Sequence, residues 1–250
     1  MLINMNNNLE MPISSHLEEL RQRLIFVGII FVILSSISLI SIQRIIPLLQ
    51  MPAHGIKFLQ LAPGEYFFVS CKVAIFTSIL LSIPCFIVQI LLFILPGLNN
   101  NEKIFCILIM LGATTLFFIG LLFGYLILIP AALNFFIEYG SNAVEPIWSF
   151  EQYFNFILLL LISNGLAFEI PILQILLNTF NLLSAQRMLS WWKYIILLST
   201  IISAILTPST DPITQLLLAL AIIALYFLGL AVIFISNKYL SEIFEKDQAI

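Results

Sequence analysis

Charge is what this sequence has least of. Only 9% of its 250 residues are Asp, Glu, Lys or Arg, against about 25% in soluble domains. Hydrophobic residues make up 61% and the mean hydropathy is +1.11, so the chain lacks the polar groups to cover a surface in water. A soluble fold is excluded. Histidine and cysteine are also scarce: His16 and His54, then Cys71, Cys85 and Cys106, none at metal-ligand spacing. No metal site or disulfide framework is implied, and the cysteines read as packing residues in or beside apolar runs. There is no Gly-rich phosphate loop and no nucleophile–base pairing. Nothing points to an enzyme, a cofactor or a nucleic-acid partner, and the net charge of −3 is too small to select a partner.

What the chain does have is a series of long apolar runs, the mark of membrane-spanning helices rather than a β-barrel. The expected fold is an all-α polytopic membrane protein, one domain over residues 1–250. Its six spans lie at about 24–42, 67–95, 104–130, 153–183, 191–206 and 215–235. The first run is too long for a signal-peptide core and no Ala-x-Ala site follows, so it reads as a retained span. A polar stretch with Pro47, Pro52 and Pro63 follows it and reads as a loop. Pro96-Gly97 stops the second span. The third run continues past Pro130, where its end leaves the hydrocarbon. The fourth is interrupted at Asn164-Gly165 and at Glu169-Ile170-Pro171 and reads as one kinked helix rather than two half-helices. The fifth is short for a bilayer, and such mismatch thins the membrane or promotes association.

Six crossings put both termini on one face. Placing them inside leaves seven cations within (Arg21, Arg23, Lys103, Arg187, Lys193, Lys238, Lys246) and three without (Arg44, Lys57, Lys72). The positive-inside rule therefore sets both ends on the cytoplasmic, or stromal, side. The halves show no convincing repeat, which counts against transporter folds built from inverted repeats. Isoleucine far outnumbers alanine and Asn replaces charge in several loops, a bias that fits an AT-rich genome such as a plastid's.

The densest charge precedes the first run, in Ser14-Ser15-His16-Leu17-Glu18-Glu19-Leu20-Arg21-Gln22-Arg23-Leu24. Ser15 with Glu18 fits a capping box, which predicts a helix starting at Ser15. Leu17, Leu20 and Leu24 form an apolar stripe, and Glu19 and Arg23 are spaced to pair. On its own this is an interfacial helix with topogenic arginines. Glu19 is also open to a second reading, as a membrane-surface carboxylate available to a guanidinium from a partner.

Three further sites carry charge or aromatic groups at unusual positions. Glu169 lies inside a span, where a carboxylate costs roughly 2.5–3.5 kcal/mol by insertion scales. It faces the bundle interior or water, either as a packing residue or as a functional polar site. Lys72 lies near the outer rim, where it snorkels to the interface or pairs with Glu65. Trp191-Trp192-Lys193 reads as an interfacial anchor.

The segment His16 to Leu24 resembles the N-terminal signature of the TatC family, the receptor subunit of the twin-arginine protein translocase. The likeness continues in order. It runs through Leu61-Ala62-Pro63-Gly64-Glu65-Tyr66-Phe67-Phe68 with Lys72, then Gln89, Phe93 and Pro96-Gly97-Leu98 with Glu102-Lys103. Phe168-Glu169-Ile170-Pro171 and Leu206-Thr207-Pro208 with Asp211 and Gln215 complete it. It covers about residues 12–236. Two departures are an inner loop, 99–103, less basic than the family pattern, and an extra residue within 207–211.

The resemblance implies a concave bundle that binds twin-arginine signal peptides and nucleates proton-motive-force-driven transport of folded proteins. Glu19 and Glu102 would take the two arginines, with Leu20, Arg21 and Arg23 beside them. Glu102 by itself also reads as a solvated loop acid paired with Lys103. Glu169, Gln215 and Asp211 would meet TatA- and TatB-type single-span subunits, Lys72 and Glu65 would shape the outer rim, and the chain would form a homo-oligomer within the complex. The implied membrane is the thylakoid, with the bacterial inner membrane as alternative. The rival reading is an ion- or proton-coupled small-solute transporter using Glu169.

Overall fold

The computed structural model describes residues 13–53, 55–94, 100–140, 145, 147–180, 182–207 and 211–248, with side chains for 17–53, 55–93, 107–140, 145, 147–180, 182–207 and 211–236. The first helix, α1, runs unbroken over Ile13–Ile40. The charged segment and the first span are therefore one rod of 28 residues, about 42 Å long at 1.5 Å per residue. That exceeds the ~30 Å of hydrocarbon, so the turns carrying Glu18 to Arg23 project beyond it. The helix is already running at Ile13, two residues before the expected start at Ser15; the Ser15 side chain lies outside the described residues.

α3 (Glu65–Ile94) packs antiparallel along α1. Their crossing is made close by small residues: the Ser78 hydroxyl donates to the Ser38 hydroxyl at 3.2 Å, the small-residue contact that membrane helices favour. The chain then returns through α4 (Asn100–Phe123), a π-type segment (Gly124–Leu128) and α5 (Ile129–Gly140). Pro130 explains the π segment. It has no N–H to donate and its ring crowds the carbonyl one turn back, so the helix widens locally instead of breaking.

α6 (Phe150–Ala167) and α7 (Ile170–Thr179) form a single kinked span. Phe168 and Glu169 keep right-handed helical angles between them, and the Glu169 carbonyl still accepts from Leu173 N at 3.0 Å. The kink follows from Pro171, which cannot donate into the preceding turn. After α8 (Ala185–Ser190), α9 (Trp192–Leu206) has 15 residues, roughly 22 Å and short of a bilayer. α10 (Pro212–Gln248) closes the chain. Among the described residues, five helical stretches are long and apolar enough to cross a membrane, and α9 is a shorter sixth.

The span of α6 and α7 is the hub. Of its most apolar stretch 67% is buried, against 6% for α1, so the other helices wrap around it and α1 faces lipid along most of its surface. The core, with Val69, Val73, Phe117, Phe154, Ile157, Leu158 and Leu218, lies between α3, α4, α6 and α10. Gly120 and Gly165 allow α4 and α6 to approach closely. A Cβ on Gly120 would lie 2.8 Å from Phe168, and one on Gly165 2.8 Å from Phe117.

The outer connections hold structure that the proline-rich sequence concealed: a helix, α2 (Ile42–Gln50), and a short strand, β1 (Lys57–Leu59). β1 pairs in parallel with β2 (Ile147–Ser149), Phe58 opposite Trp148. This ladder puts the first and third connections on the same face, as a six-span topology requires.

Candidate functional site

Two polar regions lie at opposite membrane faces, and a third is buried between them. On the inner face, the Arg23 guanidinium forks one oxygen of Glu19: Nε donates to Oε1 at 3.1 Å, and Nη2 donates to the same atom. Arg23 Nη1 reaches Gln89 Oε1 at 3.4 Å, tying the start of α1 to the inner end of α3. The side chains of Arg23 and Glu19 are 22% and 25% exposed, so the pair is half sheltered, where its attraction exceeds that of a solvated pair. Arg21 is 67% exposed and pairs with Glu18 at 2.5 Å, which keeps it apart from Glu19. Leu17 and Leu24 are exposed and Leu20 partly so, leaving the apolar stripe facing outward. Glu102 lies in the first turn of α4, reached from the inner end of α3 through the short connection. Its side chain lies outside the described residues.

The buried region centres on Glu169, at the kink. Glu169 is 9% exposed and its Oε1 has no hydrogen-bond partner. One turn to either side, Asn164 and Gln174 are also buried. Asn164 Nδ2 donates to the Gly120 carbonyl, while its Oδ1 has no partner, and Gln174 lies within reach of the Tyr226 hydroxyl. Gln174 presses against Gly229 of α10, where any side chain would collide with it. Buried polar groups without partners are costly, so this polar seam inside the hub span is kept at the expense of stability. Gln174 went unremarked in the sequence, although an amide within an apolar run is itself a signal.

Asp211, expected as a partner contact, is turned inward. It is 1% exposed, and its Oδ2 accepts from the Thr214 N–H at 2.8 Å and from the Thr214 hydroxyl. With Pro212 as the first helical residue, Asp211 is the N-cap of α10. Gln215 beside it is half-buried.

At the outer face Lys72 does not pair with Glu65, the alternative to its snorkelling to the interface. Lys72 Nζ donates instead to Glu151 Oε1 at 3.1 Å and Asn155 Oδ1 at 2.8 Å, both on α6. Glu65 is taken up by backbone. Oε2 accepts from Leu61 N at 2.6 Å and Ala62 N at 3.1 Å, and Oε1 accepts from Glu151 N at 2.9 Å. The turn that brings those amides round requires Gly64 at φ +80°, a left-handed conformation that costs a glycine little. One carboxylate thus fastens the first outer connection to the start of α6. Tyr153 adds a second fastening, its hydroxyl donating to the Leu49 carbonyl at 2.8 Å. Among the described residues no group of His, Cys, Asp and Glu is placed to hold a metal ion.

A family model described as Sec-independent protein translocase protein (TatC) matches residues 15–220. The chain belongs to the TatC family. A TatC-like protein of Porphyra purpurea is 54% identical over 232 residues, 93% of this chain and 91% of that protein. The Sec-independent protein translocase protein TatC of Synechocystis is 46% identical over 233 residues, 93% of this chain and 91% of its own length. A crystal structure of the twin-arginine translocase receptor TatC superposes with a TM-score of 0.76 at 31% identity, over 89% of this chain and 99% of that one. The six-helix arrangement is thus the TatC fold, and the inner acids and the buried seam are features of a TatC-family chain.

Proposed function

We propose that this chain is the receptor subunit of a twin-arginine translocase, binding twin-arginine signal peptides at its inner face and nucleating transport of folded proteins driven by proton-motive force. The observation that carries the reading is the Glu19–Arg23 fork. In that fork the half-sheltered carboxylate makes the contact that a ligand guanidinium would make in exchange for Arg23. Glu102, in the first turn of α4 on the same membrane face, would supply a second acid for the adjacent arginine. Two planar guanidiniums on two carboxylates make charge-assisted, two-pronged contacts that lysine ammoniums do not reproduce. The outward stripe of Leu17, Leu20 and Leu24 offers an apolar track for the hydrophobic part of the signal, while Arg23 orients the Glu19 carboxylate and Arg21 pairs with Glu18 beside it.

The polar seam at Glu169, with Gln215 nearer the outer face, is the candidate meeting place for the single-span TatA- and TatB-type subunits. A polar side chain from such a helix would supply the hydrogen bond that Glu169 Oε1 lacks within this chain. A homo-oligomer within the translocase fits the same picture, as does a single domain over the whole chain. The relatives place the protein as a multi-pass protein of the thylakoid or bacterial inner membrane: the pea relative is named chloroplastic, and the Synechocystis one is cyanobacterial. Family membership favours the receptor over the solute-transporter reading of Glu169.

The test is photocrosslinking from positions 19 and 102 to a twin-arginine precursor, with a twin-lysine precursor as control. Adducts with the first and not the second are expected, and Glu102→Lys should weaken them. Unchanged crosslinking in Glu102→Lys would overturn the assignment of Glu102.

A further inference from the structure

A cavity of about 590 Å³ opens at the outer rim between α3 and α6, away from the inner acids and the buried seam. Its polar wall is Glu65, Lys72 and Glu151, and its apolar wall is Phe68, Cys71 and Ile75. We propose that this cavity binds the uncharged, hydroxyl-rich headgroup of an outer-leaflet lipid, with an acyl chain laid along Phe68 and Ile75.

Depth, charge and hydrogen-bonding capacity all point to this occupant. Along α3, Lys72 lies about 10 Å and Ile75 about 15 Å inward of Glu65. The headgroup layer is about 5–7 Å thick on each side of the hydrocarbon. By the same rise Phe68 lies about 4.5 Å inward, so Glu65 and Phe68 sit in the headgroup layer, Cys71 and Lys72 lie just beneath it with the Lys72 ammonium reaching to Glu151 on α6, and Ile75 lies in hydrocarbon. Phe68 is 67% exposed and Ile75 49%, so the apolar side of the cavity opens toward lipid. An amphipathic molecule standing in the leaflet meets both the polar and the apolar side, whereas a soluble ligand gains nothing from Ile75 in the hydrocarbon.

Charge then selects among headgroups. Lys72 contributes one positive charge, and Glu65 and Glu151 one negative charge each, a net of −1 that disfavours an anionic headgroup. Lys72 spends two of its three N–H donors on Glu151 and Asn155, and Glu65 is engaged by three backbone amides. What remains is one ammonium N–H beside the Glu151 carboxylate, whose side chain is 50% exposed. A hydroxyl accepts from the first and donates to the second at once. A phosphate only accepts, and it would add an anion beside two carboxylates. A trimethylammonium group donates nothing.

The test is native mass spectrometry of the full chain, released from bilayer discs containing equal amounts of a monoglycosyl diacylglycerol, phosphatidylglycerol, phosphatidylethanolamine and phosphatidylcholine with matched acyl chains. The glycolipid should be retained about fivefold or more over each phospholipid, the factor expected from a single net hydrogen bond. Lys72→Met and Glu151→Gln should each bring the ratio near unity. Equal or greater retention of any phospholipid by the unaltered chain overturns the proposal. So does a glycolipid preference that survives both substitutions. If a variant fails to fold, the competition on the unaltered chain still decides.

Discussion

Substitution of Asp211 separates a structural role from a functional one. Its carboxylate accepts both the backbone N–H and the hydroxyl of Thr214 at a site that is 1% exposed. Asp211→Ala removes the cap on the Thr214 N–H, worth about 1 kcal/mol, and takes this acceptor from the buried Thr214 hydroxyl, a further ~1–3 kcal/mol. The expected loss is about 2–4 kcal/mol. At roughly 2–4 °C per kcal/mol for a chain of this length, the thermal midpoint in detergent should fall by about 5–15 °C. Asp211→Asn keeps an acceptor at the same place and loses only the charge at the helix start, about 0.3–1 kcal/mol, so it should melt within a few degrees of the unaltered protein and retain translocation. The assay pairs circular-dichroism melting with transport of a twin-arginine precursor into membranes. Asp211→Asn that melts normally but abolishes transport would refute the capping account and restore Asp211 as a charged contact.

Glu169→Gln exchanges a buried, unsatisfied carboxylate for a neutral amide; the melting midpoint should stay level or rise while translocation falls, and parallel loss of both would make Glu169 merely structural. Gly120→Ala would drive a Cβ to 2.8 Å from Phe168; an overpacking cost of about 1–3 kcal/mol outweighs the helix-propensity gain of about 0.5–1 kcal/mol, and melting should show net destabilisation. Glu65→Ala removes the acceptor shared by Leu61, Ala62 and Glu151; limited proteolysis from the outer face should cut residues 57–64 faster, and Glu65→Gln should be cut at an intermediate rate.

The spans were legible because hydrophobic run length is a direct readout of bilayer thickness. The second reads 67–95 from sequence against Glu65–Ile94 in the structure, and the fifth 191–206 against Trp192–Leu206. The kink at Pro171 was legible for the same local reason. α2 was hidden because Pro47 sits within it, and a proline there weighs against a helix unless tertiary contacts hold it. Two such contacts exist: the Tyr125 and Tyr153 hydroxyls take the Leu48 and Leu49 carbonyls at the end of α2. The β1–β2 ladder joins strands of three residues that are distant in sequence, a pairing without a local signal. At the inner face, Glu19–Arg23 followed from i, i+4 spacing. The Lys72–Glu151 pair spans 79 positions, and Glu65 is satisfied by backbone amides, which side-chain identity alone does not reveal.

The central claim is that Glu19 and Glu102 read two adjacent arginines on the inner face. The most direct measurement is the affinity of a twin-arginine signal peptide for the reconstituted chain, compared with its twin-lysine counterpart, in the unaltered protein and in Glu19→Gln, Glu102→Gln and the double variant. The account predicts a preference for arginine that shrinks in each single variant and vanishes in the double. An undiminished arginine preference in the double variant, with the protein still folded, would contradict it.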